Sequence, residues 1–397
     1  MEDYVIKGYV TKVNENALEK NGVWYLPHFC ISKPEKETTK IRIVFDASSK
    51  FRDVSLNDCI HAGPKLQTDL VEILLCFRKS PVALACDAAE MYLQIELAPE
   101  DRPYHHFLWR GMDQTREPDI YQFNRLVFGV NSCPFQAQFV TQQHALKNKT
   151  KLPRAAETVL LATYMDDSLD SVATESEAIN LYQQLSELWS SAGMHARKWL
   201  SNSATVLASV PEQDRAKLVD IDKGFLPSTK TLGMIWDAEH DVFTFGVSVP
   251  SIDQPVTKRS LLSQVATIFD PMGFLAPFII RAKLLLQDMW LSKLDWDEPL
   301  EDSIVQRVTS WYRELLLLSH FKVPRCIRLA SKIIDLSLHF FCDASSSAYA
   351  SVGYLKATYA NSEVSVRLIA SKSRVAPLQT VSIPRLELLG AMLSVSR

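Results

Sequence analysis

Tyr164-Met165-Asp166-Asp167 lies between two apolar runs, TVLLAT (158–163) and SLDSV (168–172). Thr158 to Val172 therefore reads as a hairpin with adjacent carboxylates at its tip. Such neighbours repel each other unless a cation lies beside or between them, and a divalent metal would supply it. Asp-Asp is also common in ordinary turns, so taken alone the pair leaves an acidic β-turn equally open. Upstream, VALACD (82–87) is a buried strand that ends in a third carboxylate, Asp87. Hard divalent ions such as Mg²⁺ bind through a few carboxylates plus substrate phosphates. Three aspartates with open positions thus suit phosphoryl or nucleotidyl transfer, with two metals activating a 3′-hydroxyl and holding the leaving pyrophosphate.

The 397 residues around this cluster are enough for two or three domains. A composition 47% hydrophobic and 22% charged excludes disordered, collagen-like and mucin-like chains. Lys+Arg (43) nearly balances Asp+Glu (46), so any nucleic-acid site must be local. The apolar stretch Phe274–Ile280 is broken by Pro277 and followed by Arg281, far short of the ~20 residues that span a bilayer. The N-terminus, MEDYVIKGYV, has neither a basic n-region nor an apolar h-region. Seven cysteines without a C-x-x-C pair argue against a disulfide framework or zinc site. An intracellular, cytoplasmic setting away from membranes is the expectation.

Along the chain, Tyr25 to Asp46 reads as two strands joined by a charged hairpin, and Leu66 to Phe77 as an amphipathic helix. MYLQIEL (91–97) alternates like a half-exposed strand, Glu117 to Phe128 reads as another strand, and Pro134 to Lys147 as a helix. Glu175 to Ala192 is a helix stopped by Gly193. Two helical segments between Thr257 and Leu294 are broken by FDPMGFLAP, and a further helix runs from Ser303 to Ser319. From about Pro324 an alternating strand, the turn CDASSSA, two more strands and a helix beginning near Pro384 form a βββα unit. The boundaries give residues 1–236, 237–325 and 326–397.

In order, CDAAEMYLQI, YQFNRLVFGVNSCPF, ATYMDDSL, GMHARKWLSNS and TLGMIW resemble the four palm motifs and the primer grip of the reverse transcriptases of LTR retrotransposons, most closely the BEL/Pao group. The likeness runs from about Tyr25 to the C-terminus. It implies an α+β right-hand polymerase with fingers and palm over 1–236, a helical thumb and connection over 237–325, and a truncated RNase H-like α/β unit over 326–397. The implied activity is RNA-directed DNA polymerisation with two Mg²⁺ ions, or Mn²⁺ as substitute, on an RNA template, a DNA or tRNA primer and dNTPs.

Residue by residue, the resemblance makes Asp87, Asp166 and Asp167 the catalytic metal-binding aspartates and Lys198 the proton donor to pyrophosphate. It makes Tyr92 the steric gate against a 2′-hydroxyl, Lys33 and Arg42 the clamp on the triphosphate, and Phe128 and Gly129 the loop against the incoming nucleotide. Leu232, Gly233, Met234 and Trp236 fall on the strand that holds the primer terminus. A surface lysine at a helix end is the competing account of Lys198. Ala88 and Ala89 stand where relatives often carry larger or charged residues. KRSLLSQVATIFDPMGFLAPFIIRAKLLLQDMWLSKLDWDEPL resembles the Pao thumb and connection, where Lys258, Arg259, Arg281 and Lys283 are candidates to line a duplex.

Asp343 and Glu387 correspond to two metal-binding carboxylates of RNase H. No acid follows Glu387, so an incomplete metal site without hybrid cleavage is expected of these 397 residues. Three rival readings remain: an inactive nucleic-acid-binding transposon remnant, the aspartic peptidase of the same polyprotein, and a non-catalytic binding module. The peptidase needs an Asp-Ser/Thr-Gly turn, whereas the chain offers FDAS (45–48) and CDAS (342–345) without that glycine.

Overall fold

The structure is a computed structural model that describes residues 1–14, 22–32, 41–217, 219, 226–247, 255–329 and 331–395. The chain divides into two compact units. Met1–Thr68, Cys86–Ser168 and Leu181–Arg197 form the first; Asp69–Ala85, Leu169–Asn180 and Lys198–Arg397 form the second.

In chain order, β1 (Val10–Lys12), β2 (His28–Ser32) and β3 (Ile41–Phe45) precede β4 (Val82–Ala88), β5 (His106–Trp109) and β6 (Asp119–Phe123), all but β4 lying wholly in the first unit. The β2–β3 hairpin pairs His28 with Phe45 and Ser32 with Ile41, as the sequence suggests. β1, β6 and β5 make an antiparallel sheet in that order. Its apolar side closes on Phe45, Phe107 and Phe123, whose ring centroids lie 4.7–5.2 Å apart at tilted and edge-to-face angles. Aromatic pairs prefer such geometry because of their quadrupoles, which fixes this core as well as filling it. The helix Cys133–Asn148 opens with Pro134 in its first turn, where the missing N–H costs nothing.

β7 (Thr163–Tyr164), β8 (Asp167–Val172) and β9 (Ala196–Ser201) join β4 in the order β7-β8-β4-β9. The continuous apolar run of β4 suits a strand covered on both faces. Two expectations are corrected here. TVLLAT is mostly helix, Pro153–Leu161, so the hairpin begins only at Thr163. MYLQIEL does not form a strand: Met91–Gln94 is a helical turn with Met91, Tyr92 and Leu93 buried. Short apolar runs fit one turn of buried helix as well as a strand, and periodicity does not separate the two. The strand expected over Glu117–Phe128 is present only at Asp119–Phe123.

The second unit contains β10 (Ser228–Thr231), β11 (Met234–Asp237), β12 (Val242–Thr244) and β13 (Val323–Pro324), paired in sequence order. Trp236 packs edge-on against Phe77 at 4.9 Å, and both are fully buried. Two buried arginines bind the backbone. Arg78 donates to the carbonyls of Pro324, Arg325, Leu368 and Ile369. Arg325 pairs with Asp241 at 2.5 and 2.8 Å and donates to the carbonyls of Phe77, Ser80 and Pro81. Buried guanidinium groups are tolerable only when paired and hydrogen-bonded in this way.

The interruption FDPMGFLAP separates the helices Lys258–Thr267 and Ala276–Leu291. The Asp270 carboxylate accepts from the N–H groups of Phe274 and Leu275, satisfying donors at the start of the second helix. Gly273 has φ +75°, and a Cβ there would lie 1.9 Å from the Ser371 carbonyl oxygen. Ser371 N–H in turn donates to Met272 O. Gly273 thereby lets a long sheet dock on the loop. That sheet is β14 (Ile333–Ala344), β15 (Ala348–Tyr359) and β16 (Val364–Val375), in the order β14-β15-β16, followed by the helix Ile383–Val395. β14 is an edge strand on which Ile334, Leu336, Leu338, Phe340 and Phe341 are exposed.

Candidate active site

β7 and β8 pair Thr163 with Ser168 and Tyr164 with Asp167, leaving Met165-Asp166 as a two-residue turn. Met165 has φ +56°, a conformation that such tight hairpin turns normally give to glycine. Strain of this kind persists where surrounding contacts over-determine the backbone. One such contact is Gln138, whose buried side chain donates to Met165 O at 3.4 Å. Another runs across to the end of β4, where Ala88 N–H donates to Asp166 O at 2.8 Å. This bond draws the strand end carrying Asp87 to the turn carrying Asp166 and Asp167, and all three aspartates belong to the first unit. Each is partly exposed.

Asp87 meets Arg197 at 3.1 Å, in an ion pair that the sequence did not suggest. Arg197 is half-exposed, whereas only 17% of the Asp87 side chain is accessible. Among the described residues no three His, Cys, Asp or Glu side chains are grouped so as to hold a metal by themselves. The donor set nonetheless suits Mg²⁺, which takes one or two carboxylates together with phosphate and water oxygens. Arg197 shows that Asp87 attracts a cation.

Beside the aspartates stands a tilted aromatic pair. The Tyr92 ring lies 4.4 Å from Phe128, and the Arg42 guanidinium lies 5.3 Å from the Phe128 centroid, within cation–π range. Burial, assisted by Cys133 and Asp166, pushes the Tyr92 hydroxyl well above the ordinary phenol range, so it stays neutral. Lys33 lies outside the described residues.

Gly129 has φ +109°, and a Cβ there would lie 2.1 Å from the Phe45 carbonyl oxygen. Asn57 holds the same loop by donating to Gly129 O at 3.0 Å. Its Oδ1 accepts from Asn131 N–H at 2.9 Å. Sequence reasoning missed Asn57, Gln138 and Arg197. The Ser55-x-x-Asp58 capping box around Asn57 was a readable signal, as was a polar Gln138 on the face that buries Ala137, Thr141 and Ala145.

Lys198 and the primer-grip residues belong to the second unit. Lys198 is exposed in β9 with φ +56°, so it lies in a strand and not at a helix end. Leu232 (φ +46°) and Gly233 (φ +88°) form a type I′ turn between β10 and β11. Within β11, Met234 and Trp236 point into the core. They are buried to 2% and 0%, and Trp236 Nε1–H donates to Asp241 at 3.1 Å. They form the platform beneath the turn.

Of the candidates to line a duplex, Lys258 is corrected, because it is not at the surface. Lys258 is buried between Trp290 and Trp296 (4.1 and 5.0 Å to the ring centroids) and donates to Leu294 O. Arg259 forms a two-point pair with Asp297, and Arg281 one with Glu314. Arg259, Arg281 and Lys283 are exposed, and Lys283 forms no ion pair among the described residues. Asp343 lies at the exposed end of β14 opposite Ala350. Glu387 is exposed one turn before Gly390, where a Cβ would lie 3.2 and 3.6 Å from the Ala350 and Asp343 carbonyl oxygens.

Residues 32–198 fit the model of the reverse transcriptase (RNA-dependent DNA polymerase) family. Residues 257–397 fit the Pao retrotransposon-like RNaseH-like domain, and not a peptidase. No curated protein sequence matches. A foamy viral protease-reverse transcriptase solved with double-stranded DNA superposes with TM-score 0.63 at 14% identity, covering 99% of this chain. A foamy viral protease-reverse transcriptase solved with an RNA/DNA hybrid gives 0.58 at 14% identity, again over 99%. The chain spans 58% and 44% of the lengths of those solved chains. The mixed helix-and-strand fold is therefore that of a reverse transcriptase with an RNase H-like region at its C-terminal end. The chain thus joins a segment that fits the reverse transcriptase family to one that fits the Pao retrotransposon-like RNaseH-like domain.

Proposed function

We propose that the protein is the RNA-directed DNA polymerase of a BEL/Pao-like element, adding deoxynucleotides from dNTPs to a primer 3′-hydroxyl on an RNA template, the primer being DNA or tRNA. The observation that carries this reading is the Ala88–Asp166 backbone bond. It brings Asp87 to Asp166 and Asp167 beside the Tyr92–Phe128–Arg42 cluster. Asp87, Asp166 and Asp167 would hold Mg²⁺, or Mn²⁺ in its place. Bound there, the ions would supply the positive charge that acidifies the 3′-hydroxyl and neutralises the phosphates.

The chain's own residues do the rest. Arg42 offers a cation to the triphosphate, Phe128 and Gly129 wall the nucleotide, and the neutral Tyr92 ring excludes a 2′-hydroxyl. Lys33 joins the triphosphate clamp, and Lys198 is the acid for the departing pyrophosphate. The Leu232-Gly233 turn, seated on Met234 and Trp236, contacts the primer end. Asp343 and Glu387 supply carboxylates toward an RNase H-type metal site. The functional division follows residues 1–236, 237–325 and 326–397. Primer extension on a primed RNA template with Mg²⁺ tests the reading. Asp166→Asn should lose at least about 10²-fold in rate while its melting temperature holds or rises, because a like-charge neighbour is relieved. Extension unchanged in Asp166→Asn would overturn the site. No extension by the parent chain would favour the non-catalytic, nucleic-acid-binding remnant.

A further inference from the structure

The helical turn Met91–Gln94 is tied at both ends to one hydroxyl. Tyr9 Oη–H donates to Glu90 Oε2 at 2.7 Å, immediately before the turn, and accepts from Gln94 Nε2 at 2.8 Å, at its last residue. Glu90 also receives Lys7 Nζ at 2.8 and 3.0 Å. Burial alone would raise the Glu90 carboxyl, but the bonds from Lys7 and Tyr9 outweigh it and the net shift is downward. Glu90 is therefore an anion with two defined donors.

Glu90 has φ +51°, ψ +34°, a left-handed conformation that a glutamate adopts only under outside constraint. Its backbone sets the direction in which the turn leaves β4. Tyr9 is itself immobilised. It is 7% exposed, packs edge-on against Tyr4 at 5.9 Å, and accepts the Asn124 N–H on its carbonyl at 2.9 Å. The hydroxyl is thus a fixed point, anchored in the β1–β6 sheet, from which both ends of the turn hang. Within that turn lies Tyr92, in contact with Phe128.

We propose that Tyr9, acting through Glu90 and Gln94, is a positioning residue for nucleotide sugar selection: it sets where the Tyr92 ring stands and so how strictly a 2′-hydroxyl is excluded. This rests on the polymerase reading and on Tyr92 as the gate. Tyr9 touches neither nucleotide nor metal ligand in this role. Lys7 strengthens the same fixture by holding the far oxygen of Glu90.

Tyr9→Phe removes the hydroxyl and keeps the buried ring, so the unit folds. With Mg²⁺ and a primed RNA template, the ratio of kcat/KM for dNTP over rNTP should fall about fivefold, the scale of one lost hydrogen bond. The dNTP KM should rise by a similar factor while kcat at saturation stays within about twofold. Gln94→Leu should reproduce the effect, and the double variant should add little. Amide hydrogen exchange at Leu93 and Ile95, which close the turn onto Glu90 O and Tyr92 O, should quicken in Tyr9→Phe.

Tyr92→Val is the control. If it relaxes sugar selection and Tyr9→Phe does not, the proposal is wrong and the gate stands. If Tyr92→Val leaves selection unchanged, the gate fails and takes this role for Tyr9 with it. If the parent chain does not extend primers, the polymerase reading fails. Exchange at Leu93 and Ile95 then judges the clamp by itself, and rates equal to the parent's would overturn it.

Discussion

Gly129→Ala isolates the nucleotide-facing loop from the aspartates. The added methyl would lie 2.1 Å from the Phe45 carbonyl oxygen, more than 1 Å inside the roughly 3.2 Å that such contacts require, and the obstacle is backbone. A φ of +109° adds its own penalty, about 1–3 kcal/mol for an L-residue held in a sparsely populated region. Moving the loop away sacrifices the Asn57–Gly129 bond, about 1 kcal/mol. The sum is about 3 kcal/mol, and it can be expressed in two ways. If the loop stays, the first unit loses that stability and its melting temperature falls by several degrees. If the loop moves, Phe128 leaves Tyr92 and Arg42, and kcat/KM for dNTP drops by about 10²-fold, since 1.36 kcal/mol is tenfold. Thermal melting and single-nucleotide extension kinetics together cover both routes. A variant with the parent's melting temperature and the parent's kcat/KM would refute the steric argument outright.

Three further outcomes follow from the same kind of accounting. Tyr92→Val should admit ribonucleotides, lowering dNTP-over-rNTP discrimination by about 10²-fold, the scale on which shape alone rejects a hydroxyl; an unchanged ratio would make Tyr92 a core residue only. Lys258→Met keeps the length of a side chain enclosed by Trp290 and Trp296 but removes its charge and its bond to Leu294 O. About 2 kcal/mol should disappear from urea unfolding of the second unit, and a midpoint equal to the parent's would show that the cage contributes nothing. Gly273→Ala would set a Cβ 1.9 Å from Ser371 O, so early proteolysis should appear within residues 333–375, and a digestion pattern like the parent's would contradict the close approach.

The order of motifs, the β2–β3 hairpin, the interrupted helices around FDPMGFLAP and the βββα arrangement were all readable, because each rests on local period or on breakers at fixed places. Tyr92 was assigned a role from its position after Asp87, but its local structure was misread: three buried residues in a row satisfy a strand or a helical turn, and only the left-handed Glu90 decides between them. Lys258 was misread for a different reason. A lysine beside an arginine looks solvated until Trp290 and Trp296, more than thirty residues away, close over it. Local patterns mark Asn57 and Gln138 but are silent on the distant partners through which these two and Arg197 act.

The edge strand β14 bears on how the protein behaves in solution. Its outer backbone borders Ile334, Leu336, Leu338 and Phe340, all between 44% and 64% exposed, along a twelve-residue strand. A long apolar edge of this kind templates the addition of further strands from other chains, and natural proteins usually blunt it with lysine or proline. Here Asp335 and His339 are the only charged or titratable side chains within 333–341. Concentrated samples should therefore self-associate through this edge, with turbidity that rises on warming. A single gatekeeper such as Leu338→Lys should raise solubility without altering the candidate site in the first unit, because the charge must be desolvated before another strand can pair there.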